Sequence, residues 1–497
     1  MTGQPFSCIL LYVRKSICLP CRGRSRRVTD SRRAMERQAL IRSIERALGM
    51  KRLIWFGTRG EDAQPLLALA NFSEIFSLIA PMQSLSLANE MCLESLRRER
   101  LDLDTYSLDE DHSREAGELR LGLLRSLREP AAILPYRPLS FLSSVFYPRK
   151  GHVNFLGMFH ERQAPFEHKP WVETELQAAG VETVPWKYFA DEDRQRVEDE
   201  LAAFGSLVLR QNRSDGGAGL RLVRDARQLE AAWRLHPEGF FAAAPLLYPN
   251  VPINVNACAF ADGSVSLHGP SLQLIGLPGL TCRTFGYCGN DFAAPRQLAA
   301  TIWDEIEIMV AKVGRWLASK GYLGAFGVDA LLSGNKVFLT EVNPRFQGSS
   351  ALSAWLDGEM DLPDIFLCHL ASHLGIEVTS RRTLRDLVAA QPPVSHVLAH
   401  NIADGAVRVT EICDPTPSHY RFQLLPAPGT VIAREAVVCK AIVQRSVTDD
   451  GLAIADEVTR TVLRFAASLL ATPNAEEVVE APAGPGGGPS PGTRTPA

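Results

Sequence analysis

No run of about 18 apolar residues occurs in the 497-residue chain, so the sequence offers no segment suited to cross a bilayer as a helix. It also lacks an excess of either charge. Its 53 Lys and Arg nearly balance 56 Asp and Glu, and a formal charge of −3 argues against a nucleic-acid surface. Cysteine is sparse and scattered: Cys8, Cys18, Cys21, Cys92, Cys258, Cys282, Cys288, Cys368, Cys413 and Cys439. No secretory signal is present to carry them to an oxidising compartment, so reduced thiols in a cytoplasm are expected. Cys18 and Cys21 have C-x-x-C spacing, but no second pair follows at zinc-ribbon distance. Internal repeats, a P-loop and a dinucleotide fingerprint are absent as well.

Apolar residues at 46% and charged residues at 22% are ordinary for a soluble globular protein, and the length allows two or three packed units. Residues 1–34 stand apart, with eight Arg or Lys and a single acid, Asp30. They weakly resemble an organellar transit peptide or an over-long start, since Met35 opens a plausible helix. This segment is expected to be disordered. From residue 35 to about 165, helical patterns alternate with short apolar runs such as 52–56 and 131–135, the signature of an α/β unit with a parallel sheet. Strands are expected at 206–210, 220–223, 253–260 and 265–268, with a long helix over 296–320. A further block to about 472 carries strands near 431–433 and 437–444 and a helix near 454–470. The Pro-, Gly- and Ala-rich tail 473–497 has little to bury and is expected to be disordered.

Residues 327–348 carry the strongest local signal. Strand alternation puts Glu341, Asn343 and Arg345 on one face, and Asp329 lies twelve positions before Glu341. Direct opposition of the two acids across an antiparallel hairpin then needs an odd loop. A three-residue loop of Gly334, Asn335 and Lys336 with a bulge is expected, because a two-residue loop would oppose Asp329 to Thr340 instead. Two carboxylates and an amide oxygen are hard ligands of the kind Mg²⁺ takes, with Mn²⁺ as an alternative. Arg345 is placed to stabilise a phosphoryl group in transit. Acids on a solvent-facing hairpin would look the same, but Leu331, Leu332, Val337, Phe338, Leu339 and Val342 point to burial. Buried carboxylates need a cation or hydrogen-bond donors.

A strand ending at Arg210 runs into a loop containing Gly216, Gly217 and Gly219, then into a returning strand. Glycines let backbone N–H groups converge on phosphate oxygens, and Arg210 could add charge. Alone, such a turn is an ordinary hairpin.

Together with Lys169 before a helix that ends at Gly180 and Val181, these segments resemble the ATP-grasp superfamily. Gly327, Val328 and Asp329, followed by Glu341, Asn343, Pro344 and Arg345, resemble its metal and phosphate motif. The three motifs stand in the family's order across about residues 165–352. The resemblance implies that Lys169, Arg210 and the loop of Gly216, Gly217 and Gly219 bind ATP phosphates. It further implies that residues 241–247, with Ala244 and Leu246, receive adenine. Asp329, Glu341 and Asn343 would hold Mg²⁺, and Arg345 would stabilise the transferring group. Two departures stand out: Arg210 replaces the usual lysine, and the hinge lacks an acid for the ribose.

The implied architecture is α/β (α+β). It has a Rossmann-like pre-ATP-grasp domain at 35–165, a two-lobed ATP-grasp module at 166–375 and a β-containing C-terminal domain at 376–472. The implied activity is an ATP-dependent carboxylate–amine ligase working through an acyl phosphate, of the peptide or amino-acid ligase branch. Its partners are then a small-molecule carboxylate and an amine, without nucleic acid or membrane, and a homodimer is compatible. A non-catalytic ATP-binding module is the alternative. Biotin carboxylase shares the layout, but residues 267–283 lack its basic, glutamine-rich stretch, which argues against bicarbonate and biotin. Within that stretch, Arg283 could pair a substrate carboxylate or be a surface arginine; Gln273 could face the acceptor site, while His268 reads as structural. Cys258, Cys282 and Cys288 have no base partner in sequence.

Overall fold

The computed structural model describes residues 27–470, apart from 81–84, 86, 104–107, 147–150, 214–215, 234–238, 380–381 and 411–418. Cys8, Cys18, Cys21, Cys413 and the 473–497 tail lie outside the described residues. The first helix, Arg27–Leu48, begins inside the basic segment, so the boundary expected at residue 34 falls within a helix. Leu40, Ile41, Ile44 and Leu48 form its buried stripe. That stripe faces the helix Ile365–Leu374 in a shared core.

Five parallel strands follow, in the spatial order Asn89–Cys92, Phe72–Ile79, Arg52–Arg59, Ala131–Pro135 and Val153–Phe155. Leu53, Ile54, Trp55 and Phe56 are buried in succession, as are Ala131 to Leu134, because a parallel sheet is covered on both faces. Thr58, Arg59, Tyr136 and Arg137 emerge at the carboxyl ends of two neighbouring strands, the usual ligand-facing edge of an open parallel sheet.

A four-stranded antiparallel sheet forms a separate lobe, ordered Lys187–Ala190, Phe240–Pro245, Leu207–Arg210 and Leu220–Val223. Phe189, Val197, Leu209, Leu229 and Phe241 give this lobe its own core. The largest sheet has nine strands. Its order runs Lys336–Asn343, Gly324–Ser333, Val251–Ala259, Ser271–Ile275, Tyr287–Asp291, Ser395–His400, Val437–Val443 and Tyr420–Gln423, with Val265–Leu267 paired beside Val251–Ala259. It passes without interruption across residue 375, where a domain boundary was expected from the sequence. The helix expected over 296–320 spans Ala300–Ser319 and is preceded by a 3₁₀ turn, Ala294–Gln297, with Pro295 in its first turn. Trp303, Ile306, Val310, Val313 and Leu317 bury its face against the large sheet.

First and last units are also tied by a small sheet in which Glu99–Arg100 pairs with Val431–Ile432. Arg100 is buried there, donating to Glu94 at 2.9 to 3.1 Å and to the carbonyls of Leu424 at 2.6 Å and Val437 at 3.0 Å. Arg100→Met would strand the Glu94 carboxylate. A loss of about 3–5 kcal/mol is expected, read as a lower urea midpoint with an unchanged slope.

Candidate active site

A cavity of about 680 Å³ lies where the parallel sheet, the four-stranded lobe and the large sheet meet. Its described lining has two acids, Asp329 and Glu341, against Arg59, Arg137, Lys169, Arg210, Arg224 and Arg345.

The two acids oppose each other across the hairpin, though by a different route from the one the loop spacing suggests. Ser333 pairs with Lys336, so the loop is the two-residue turn of Gly334 and Asn335. Up to Ala330 opposite Leu339 the register would bring Asp329 to Thr340. A bulge at Thr340 then shifts it, and Asp329 meets Glu341. The bulge follows from packing. Leu339 and Val342 are both buried in the core although three positions apart, so one extra residue must sit on the cavity side between them.

Asp329 is held by donors. Asn254 Nδ2 reaches its Oδ1 at 2.7 Å, Gln273 Nε2 the same oxygen at 3.1 Å, and Asn343 Nδ2 its Oδ2 at 3.0 Å. Burial and the neighbouring Glu341 charge still push its pKa up to about 6. Two adjacent carboxylates in this state favour a cation. Among the described residues no group of three His, Cys, Asp or Glu is poised for a metal, so a cation here would take its remaining ligands from phosphate oxygens and water. Asn343 would turn its amide oxygen inward to join them.

Lys169 stands at the first turn of the helix Lys169–Ala178 and places Nζ 2.8 Å from Glu341 Oε1. Arg345 lines the cavity with Nε 3.8 Å from Glu167 Oε1. Gly216 and Gly217 line it as well. A Cβ on Gly217, whose φ is +81°, would stand 2.0 Å from the Phe285 carbonyl oxygen, so only glycine permits this approach. Gly219 is not among the lining residues; its carbonyl accepts from Gln211 N at 3.0 Å and closes the hairpin. Ala244 and Leu246 line the opposite wall.

Two arginines also sit differently from expectation. Arg283 does not line the cavity. It is hydrogen-bonded to Asp102 and lies 3.8 Å from Glu435, bridging the first and last units, so its charge is engaged outside the cavity. Arg210 lines the cavity but is buried in a bidentate pair with Glu173, at 2.5 and 3.0 Å. His268 is buried away from the cavity, its Nδ1 2.7 Å from Asp357 Oδ2, which fits the structural reading.

Sequence reasoning passed over Arg59, Arg137, Asn254 and Gln347. Arg59 and Arg137 stand just beyond the expected strands 52–56 and 131–135, a positional signal that was available. Asn254 alternates with Asn256 in an apolar strand, and both are buried in a network through Gln347, Ser349 and Ser350. Buried amides at alternate strand positions mark a polar seam.

The model of the ATP-grasp domain family matches residues 251–349, which contain the bulged hairpin. Formate-dependent phosphoribosylglycinamide formyltransferase of Pectobacterium carotovorum subsp. carotovorum (strain PC1) is 23% identical over 292 residues, covering 58% of this chain and 68% of that one. The enzyme of the same name from Sodalis glossinidius (strain morsitans) is 25% identical over 197 residues, covering 38% and 46%. A biotin carboxylase β,γ-ATP complex from Campylobacter jejuni superimposes with TM-score 0.57 at 15% identity, over 81% of this chain and 89% of that one. The biotin carboxylase domain of Hydrogenobacter thermophilus 2-oxoglutarate carboxylase, solved with MgADP and bicarbonate, gives 0.55 at 15% identity, over 85% and 90%. At such identities the structures share a fold. Residues 251–349 thus match the ATP-grasp domain family, and the chain shares the fold of these carboxylase structures.

Gly217→Ala is expected to lift the glycine loop from the backbone of residues 284–286. Trypsin should then cut after Arg213 about tenfold faster, the response to ~1.4 kcal/mol of easier local opening. The thermal midpoint should move by less than about 2 °C.

Proposed function

We propose that this chain is an ATP- and Mg²⁺-dependent ligase that activates a carboxylate as an acyl phosphate and joins it to an amine. The observation that carries the reading is the Asp329–Glu341 pair, opposed across a bulge and facing a cavity whose other charged lining residues are all cations. Asp329, Glu341 and Asn343 would hold Mg²⁺, which when bound supplies charge neutralisation for the triphosphate. Lys169 and the backbone N–H groups of Gly216 and Gly217 approach the phosphates, and the base lies along Ala244 and Leu246. Lys169, 2.8 Å from Glu341 here, would turn to phosphate if Glu341 held the cation.

A carboxylate oxygen of the substrate attacks the γ-phosphorus, the bond to the β,γ-bridging oxygen breaks, and ADP departs. An amine nitrogen then attacks the acyl carbon. The carbon–oxygen bond to phosphate breaks, and the nitrogen gives up a proton. Arg345 neutralises charge on the phosphoryl oxygens, and the protein's main task is orientation. Arg59 and Arg137, on the rim of the parallel sheet, anchor the acid. Both line the cavity, Arg59 standing 3.8 Å from Asp62 and Arg137 3.7 Å from Glu167, and a guanidinium matches a carboxylate through two parallel donors.

The peptide or amino-acid branch is the finer form of this proposal. In the described lining an α-ammonium would find carboxylates only at the metal pair, so the acid component is better read as one without an ammonium beside its carboxylate. From residues 267–283 only Gln273 brings a polar side chain to the lining, which supports an acid other than bicarbonate.

With a panel of acids and amines, Asp329→Ala and Glu341→Ala should each lower Mg²⁺-dependent ADP release by at least about a hundredfold. Undiminished turnover in both would refute the ligase; tight ATP binding without turnover across the panel would favour the non-catalytic module. Arg59→Ala and Arg137→Ala should each raise KM for the acid about tenfold or more, the loss of a charge-assisted hydrogen bond, with KM for ATP unchanged.

A further inference from the structure

Arg210 occupies the place where the family resemblance calls for a phosphate-binding lysine, yet its surroundings are those of a neutralised structural cation. Its side chain is 3% exposed. Nη1 and Nη2 take both oxygens of Glu173, and Nη2 also donates to the Tyr188 hydroxyl at 3.2 Å. That hydroxyl in turn donates to Glu173. A phosphate drawing Arg210 away would leave the Glu173 carboxylate buried and uncompensated. The guanidinium plane instead supports an aromatic ring: its central carbon lies 4.1 Å from the Trp186 ring centroid. Trp186 is half-buried and lines the cavity among Val184, Val208, Ala244, Leu246 and Leu331. These residues make an apolar slot that begins one step along the hairpin's cavity face from Asp329.

We propose that Arg210 is a positioning residue and that the Trp186 indole it holds is the stacking wall for the nucleotide base. The proposal rests on the nucleotide-binding reading above and assigns Arg210 to the base end of the ligand instead of the phosphate end. A guanidinium fixed in a bidentate, stacked geometry sets the ring's tilt through two hydrogen bonds and a cation–π contact. Aromatic stacking tolerates any planar base, so selection among bases falls to the backbone of the Ala244–Leu246 wall. It also accounts for the missing lysine: a point charge on a flexible stem would not hold an indole plane.

The test uses the full chain with Mg²⁺ and two probes, ATP and inorganic tripolyphosphate, titrated by calorimetry and by indole emission. Trp186→Leu and the charge-balanced double variant Arg210→Met/Glu173→Gln, which avoids stranding a carboxylate, should each weaken ATP about tenfold to a hundredfold. Tripolyphosphate affinity should stay within about twofold of the original chain, and the emission change on adding ATP should vanish in Trp186→Leu. Arg210→Lys should fail to restore ATP affinity, whereas a phosphate contact would be kept by lysine. Parallel loss of ATP and tripolyphosphate affinity in the double variant, or full ATP affinity in Arg210→Lys, would overturn the proposal while leaving the ligase reading intact. Failure of the original chain to bind ATP at all would overturn both.

Discussion

Two carboxylates held side by side in a largely buried hairpin repel each other, and the architecture around them is arranged to tolerate that repulsion. Asp329 and Glu341 face one another because a bulge at Thr340 lets Leu339 and Val342 both reach the core. Asn254, Gln273 and Asn343 give Asp329 three donors, and Lys169 balances Glu341. Even so the Asp329 carboxyl stays well above the ordinary range, so the protein alone leaves the pair under-compensated. A divalent cation carrying phosphate would relieve that repulsion, and the proposed function rests on that demand.

Convergence on that pair requires three units to keep their places. Arg100 reaches from the first unit into backbone carbonyls of the last, and Arg283 links Asp102 to Glu435 across the same divide. The small lobe is closed over the cavity through the approach of Gly217 to the Phe285 backbone. Cations spent on these contacts are structural. Arg59, Arg137 and Arg345 lie on the cavity wall, Arg59 at 3.8 Å from Asp62, and Arg137 and Arg345 at 3.7 and 3.8 Å from Glu167. Arginine therefore stands both between the units and along the cavity wall.

The shared fold with biotin carboxylases, at 15% identity, fixes the frame and leaves the chemistry to the site. The site departs from the sequence expectation at Arg210, whose guanidinium is turned to an internal partner. It departs again at residues 267–283, which bring Gln273 to Asp329 and send Arg283 elsewhere.

The sequence alone carried the local pattern. Alternation put Glu341 and Asn343 on one face, the apolar runs at 52–56 and 131–135 announced a covered parallel sheet, and glycine spacing marked the loop over the cavity. These are properties of near neighbours, set by strand and helix periodicity. Loop length against bulge could not be read there, because the bulge answers to the packing of Leu339 and Val342 against a helix and strands from elsewhere in the chain. Nor could the fates of the arginines. Arg210 meets Glu173, and Arg283 meets Asp102, across 37 and 181 positions. Arg59 and Arg137 reach the hairpin's cavity only because the parallel sheet docks there. Which charge is paired across the chain and which comes to line the cavity depends on long-range docking and desolvation, and only the tertiary structure supplies those.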